Sequence, residues 1–155
     1  ETMVTEGPHY NVQPVPIVLH LEQVSSSGLF TYYPQVIGVG GQSGCICYSN
    51  GAFTHVLADW ICDLASLPYV EGVDVWMAEN LHGEGGCQCT QCKLIDRDVL
   101  EAQTIVDAWE EAKARLGRDI KLWILTSEET YNSNTDVFNA VPSDVRIWYY
   151  HSLYN

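Results

Sequence analysis

Apolar positions along this chain fall into two periods, and the alternation between them predicts the fold. Three short runs are apolar at almost every position, and each contains a tryptophan: Val73-Asp74-Val75-Trp76-Met77-Ala78, Leu122-Trp123-Ile124-Leu125 and Val145-Arg146-Ile147-Trp148-Tyr149-Tyr150. Runs of this kind read as buried strands of a parallel sheet. Pro14-Val15-Pro16-Ile17-Val18-Leu19-His20-Leu21-Glu22 reads as another strand, ended by Ser25-Ser26-Ser27-Gly28. Val36-Ile37-Gly38-Val39-Gly40-Gly41 fits either a short strand or an ordered loop. Between these runs the period becomes helical. Phe53, Val56, Leu57, Trp60, Ile61 and Leu64 predict a helix over 51–66, capped by Asn50 and stopped by Pro68. Asp96 opens a long helix to about residue 116. Val99, Leu100, Ile105, Trp109, Ala112 and Leu116 form its expected buried stripe, and Gly117 its C-cap. A short helix near 134–140 ends before Pro142.

Strands that alternate with helices predict right-handed βαβ units and a parallel sheet. The 155 residues form one α/β domain, with 1–13 as an irregular N-terminal segment. A complete (β/α)8 barrel takes about 250 residues. About four to five parallel strands therefore predict a partial (half) (β/α)8 barrel, or a small open sheet complete in itself. A bare half-barrel exposes an apolar sheet edge. A second copy in a homodimer, the missing remainder of a barrel, or a local rearrangement would cover it.

Charge narrows the partners. All seven Lys and Arg lie at Lys93 or later, whereas residues 1–92 carry nine Asp and Glu. A net charge of −13 repels phosphate backbones, which argues against nucleic acid. No apolar run reaches the roughly 20 residues of a membrane helix. The start, Glu1-Thr2-Met3, lacks the basic and apolar segments of a signal peptide, which is then either absent or already removed. Acids in the first half have no neighbouring cation in sequence, so burial would raise their pKa values toward those of general acids.

Polar groups gather where the strands end, the place where parallel sheets carry their chemistry. Glu79-Asn80 follows the Trp76 strand, and Glu128-Glu129 follows the Trp123 strand. Side chains alternate along a strand, so one of Glu128 and Glu129 is expected to face inward. With Glu79 it would form two carboxylates on adjacent strands, the requirement for glycoside hydrolysis. Asn80 would orient a sugar hydroxyl. His20 and Glu22 share a face at the end of the first strand, and Tyr150-His151 ends the last, completing the candidate substrate-binding set. The tryptophans could stack on sugar rings, although mid-strand placement favours core packing.

Six cysteines supply the strongest local motif. Cys87, Cys89 and Cys92 stand in C-x-C-x-x-C order after the Gly-rich Leu81-His82-Gly83-Glu84-Gly85-Gly86. Cys47 would complete a tetrahedral thiolate zinc site, with Cys45 and His82 as other candidate fourth ligands. Such a structural zinc would pin the loops after two strands together. Disulfides between the two cysteine groups are the main rival if the protein is secreted or periplasmic, and an iron–sulfur cluster is the third reading. Cys62 falls in a helical pattern and reads as a core residue.

From Cys45-Ile46-Cys47-Tyr48-Ser49-Asn50, through Asp74-Val75-Trp76-Met77-Ala78-Glu79-Asn80, to Cys87-Gln88-Cys89-Thr90-Gln91-Cys92 and Asp96-Arg97, the chain resembles the middle of bacterial glycoside-hydrolase-like TIM barrels. The resemblance covers roughly residues 14–155 and is most specific at the cysteine triplet. It implies a carbohydrate site at the strand ends, with Glu79 and Glu128 or Glu129 in it. The chain would then be a catalytic-domain fragment, a half-barrel that dimerises, or a binding relic. A non-catalytic carbohydrate-binding or structural module held by the cysteines is the alternative to a hydrolase.

Overall fold

The computed structural model describes residues 6–19, 21, 28–79 and 85–150, with the side chains of Pro8, Glu128 and Glu129 left aside. The strands are β1 (Ile17–Val18), β2 (Gly72–Trp76), β3 (Lys121–Ser127) and β4 (Arg146–Tyr150). The helices are α1 (Leu29–Tyr32), α2 (Gly51–Ala65), α3 (Arg97–Leu116) and α4 (Asn134–Ala140). The four strands form one all-parallel sheet in the order β1-β2-β3-β4. The architecture is therefore α/β with helices alternating with parallel strands, as the pattern predicts.

Local chemistry accounts for the helix ends. The Asn50 side chain accepts from Ala52 N–H, and that of Asp96 accepts from Asp98 and Val99 N–H. Gly117 closes α3 at φ 63°, a left-handed conformation that suits glycine. α2 and α3 pack on each other and on the sheet through Phe53, Leu57, Ile61, Ile105 and Ala108, all fully buried against Val73, Val75, Leu122 and Ile124. The Trp109 indole reaches across to donate to the Ile120 carbonyl at 2.7 Å.

Some expectations are corrected and others narrowed. β1 is two residues long, not nine, because Pro14 and Pro16 have no N–H to donate to a ladder. Of the two readings of Val36–Gly41 the ordered loop holds: a 3-10 turn, Pro34–Val36, is followed by a single bridge between Ile37 and Ile46. Cys62 is partly buried rather than enclosed. The N-terminal segment carries one short 3-10 turn, Gly7–Tyr10.

The two faces of the sheet differ. Each strand follows its predecessor in space, so right-handed crossovers keep the connecting helices on one side. Val18, Val75, Ile124 and Ile147 share a register row on that side. Ile17, Asp74, Trp123 and Arg146 form the alternating row on the other, with Trp76, Leu125 and Trp148 beyond it. Trp148 was expected to pack in a core, yet it is 53% exposed there, because among the described residues no helix crosses that face of β4.

Candidate metal centre

Two loops at the C-terminal side of the sheet build the site. One runs from Ile37 to Asn50 ahead of α2, and the other from Gly85 to Asp96 between β2 and α3. Backbone bonds hold the first loop to itself, Gly38 N–H to the Cys45 carbonyl and Cys47 N–H to the Val36 carbonyl. Further bonds tie the loops together: Gln42 N–H donates to the Gly85 carbonyl and Gln88 N–H to the Val39 carbonyl, at 2.9 and 2.7 Å. These contacts bring sulfurs more than forty residues apart in sequence into one cluster.

Cys47, Cys87, Cys89 and Cys92 place their Sγ atoms within 4.8 Å of one another. Cys47 Sγ lies 3.8 Å from both Cys89 Sγ and Cys92 Sγ. All six cysteines are free thiols, and a disulfide would need sulfurs at about 2.0 Å. A tetrahedral ion with metal–sulfur bonds of about 2.3 Å spaces its sulfurs about 3.8 Å apart. The donor set therefore fits a tetrahedral thiolate ion. These are the four cysteines named from the sequence as the candidate set.

The surroundings act on the sulfurs in opposite directions. Val39 N–H donates to Cys87 Sγ and Cys92 N–H to Cys89 Sγ, each at 3.4 Å. Ser49 Oγ sits 3.4 Å from Cys89 Sγ and 3.2 Å from Cys92 Sγ. The Ser49 contact, helped by the Cys92 N–H, lowers the Cys89 thiol to about 6. Burial pushes Cys47 up to about 12 and raises Cys92 as well. Thiols this close resist joint ionisation unless a cation enters with them.

Cys45, the other candidate of its pair, is buried just outside the quartet. It crowds Gly38 together with Cys87: a Cβ on Gly38 would lie 2.5 Å from Cys45 Sγ and 3.0 Å from Cys87 Cβ. His82 lies outside the described residues.

The same rim carries a buried ion pair. Glu101 is fully buried, accepts from Ala78 N–H at 2.7 Å and pairs with Arg97 at 2.6 Å. It ties the start of α3 to the end of β2. Burial raises its carboxyl to about 6, while Arg97 and the amide act the other way. Sequence reading missed this residue. Its signal was position, since Glu101 stands four residues before Ile105 and seven before Ala108 on the apolar stripe. Beside the pair, a cavity of about 380 Å³ is lined by Cys87, Cys92, Arg97, Asp98, Asn132 and Ser133.

The expected sugar-site residues are less gathered. Glu79 is half-buried just beyond β2. Glu128 and Glu129 begin the 3-10 turn Glu128–Ser133 directly after β3. Buried Thr130 fixes that turn by donating to the Ser127 carbonyl and contacting Asn134 Oδ1 at 2.9 Å. Tyr150 lies on the bare face, edge to Trp76 with ring centroids 5.7 Å apart. His20, Glu22, Asn80 and His151 lie outside the described residues. The first-half acid that burial raises is Asp74, mid-strand on the bare face. No helix of the described residues is long and apolar enough to cross a membrane. Comparison of the chain with family models, curated proteins and solved structures finds no match.

Proposed function

We propose that Cys47, Cys87, Cys89 and Cys92 hold a structural zinc ion that fastens two rim loops of a β/α module. The observation that carries this reading is the four sulfurs within 4.8 Å, two of their separations at 3.8 Å. Zinc suits a closed set of four thiolates, and such a set leaves no position for substrate. Its role is then to organise the loops rather than to react. The purified chain should bind about one zinc ion, and cobalt in its place should show thiolate charge-transfer and tetrahedral d–d absorption. Cys47→Ser should weaken cobalt binding and diminish its thiolate charge-transfer band, while Cys45→Ser and Cys62→Ser should leave both unchanged. At free zinc about 1,000 times the dissociation constant, the ion adds at most about 4 kcal/mol to stability, and less by whatever zinc the unfolded triplet holds, so a chelator should lower the melting temperature. A chain that takes up no metal with its thiols reduced overturns the reading.

We also propose that the sheet is half of a (β/α)8 barrel, supported by its sequential order and its single helical face. Within that frame the rim is a carbohydrate site, and a glycoside-hydrolase-like reading joins the structural one. Its support is topological. Glu79 and Glu128-Glu129 follow adjacent parallel strands at the same end of the sheet, next to the fastened loops. Glycosidase activity lost in Glu79→Gln, or in Glu128→Gln with Glu129→Gln, would support catalysis by paired carboxylates. Sugar binding that survives these changes would support a binding module instead.

A further inference from the structure

We propose that the bare face of the sheet is the interface with a second copy of this chain, the two four-stranded sheets closing into one parallel eight-stranded barrel. This rests on the half-barrel reading above and adds the occupant. Parallel sheets bury both faces, yet among the described residues the helices cover only one. On the other, Ile17, Leu19, Trp148 and Tyr150 are 45 to 54% exposed. Among the described residues, the outer edges of β1 and β4 pair with no further strand.

The geometry favours an identical copy as occupant. Both edges have the same strand direction, so a covering sheet must continue both in parallel. A copy turned about a twofold axis along the barrel offers its β1 to β4 and its β4 to β1. Eight strands is the number at which a βα sheet closes with an interior filled by side chains.

An isologous contact also needs a surface complementary to itself. The rows Ile17-Asp74-Trp123-Arg146 and Trp76-Leu125-Trp148 carry one acid and one base among apolar side chains. The chain's net charge of −13 therefore lies elsewhere.

Asp74 gives an independent sign that something is to be met there. It is 8% exposed, its Oδ1 has no hydrogen-bond partner, and it opens into a hollow of about 230 Å³ with Trp123, Arg146 and Trp148. The face around it is already levelled. A Cβ on Gly72 would lie 2.4 Å from the Trp123 ring, so glycine is what lets that ring lie across β2. The Arg146 guanidinium sits 5.7 Å from the same ring. Trp148 is left projecting toward the second copy.

Light scattering of the metal-loaded chain at tens of micromolar should give twice the 17.4 kDa mass of one chain. Trp148→Asp and Ile17→Asp, both at exposed positions of the single chain, should raise the dimer dissociation constant at least 100-fold with helical circular dichroism unchanged. Diluting the wild type should shift tryptophan emission to the red as the dimer parts, a reading that needs no variant. A dimer indifferent to both substitutions and to dilution overturns this interface. A wild-type monomer overturns the second copy, and acrylamide then tests the reading beneath it through the quenchable emission that Trp148→Phe removes. If Trp148 is quenched, the open half-barrel stands; if it is shielded, that reading falls as well.

Discussion

Glu101 is a fully buried charge whose two oxygens are both used, one on the Ala78 amide and one on Arg97. Glu101→Ala should destabilise the domain by about 3–5 kcal/mol, because it takes from the largely buried Arg97 its nearest carboxylate, leaving Asp98 at 3.9 Å, and from the Ala78 amide its acceptor. A urea unfolding midpoint will measure it. The pH dependence has a definite sign. The folded carboxyl sits near 6, above its ordinary 4.5, so the folded state holds the proton more tightly. This group's contribution to stability therefore rises as pH falls from about 7 to about 5, and Glu101→Gln should remove that slope. The cysteine quartet was legible because sulfur spacing is a strong local code. Cys47 is the expected fourth member, but the shared C-x-C gives no reason to prefer it over Cys45; the folded loops supply that reason. Glu101 was not legible as a partner of Ala78, because the contact spans 23 residues and depends on how α3 crosses β2.

Among the elements, those with both periodicity and caps were read most closely. α2 and α3 begin and end within a residue of their expected limits, since Asn50, Asp96 and Gly117 mark the boundaries chemically. The Asp96 cap stands four residues beyond Cys92, so one short segment anchors both the metal loop and the long helix. Asp96→Ala should cost about 1 kcal/mol and Asp96→Asn much less, as read by thermal unfolding of the metal-loaded protein. Elements without periodicity escaped notice. The turns at Pro34–Val36 and Glu128–Ser133 are too short to show a repeat. β1 was overread, because alternation of apolar residues says nothing of whether prolines leave a ladder to form. β4 was read as a strand, yet its tryptophan was misassigned: an edge strand has the same composition as a central one.

For the molecule as a whole, the parallel sheet with alternating helices followed from the alternation of periods, while the spatial order of the strands and the open face did not. An apolar run states only that burial is wanted, not which surface supplies it. The candidate sugar site was legible only as positions along strands, because convergence of side chains is a property of loops and of the sheet's twist. The metal centre draws its ligands unequally from the chain, and this bears on how the domain assembles. Three sulfurs sit within six residues, whereas Cys47 is 42 residues from Cys89. The unfolded chain therefore already owns a partial chelate, and folding supplies only its fourth arm. Zinc held by the triplet before folding adds nothing to the stability of the native state. The gain is the margin by which four thiolates outbid three, and it arrives at the moment the two loops meet.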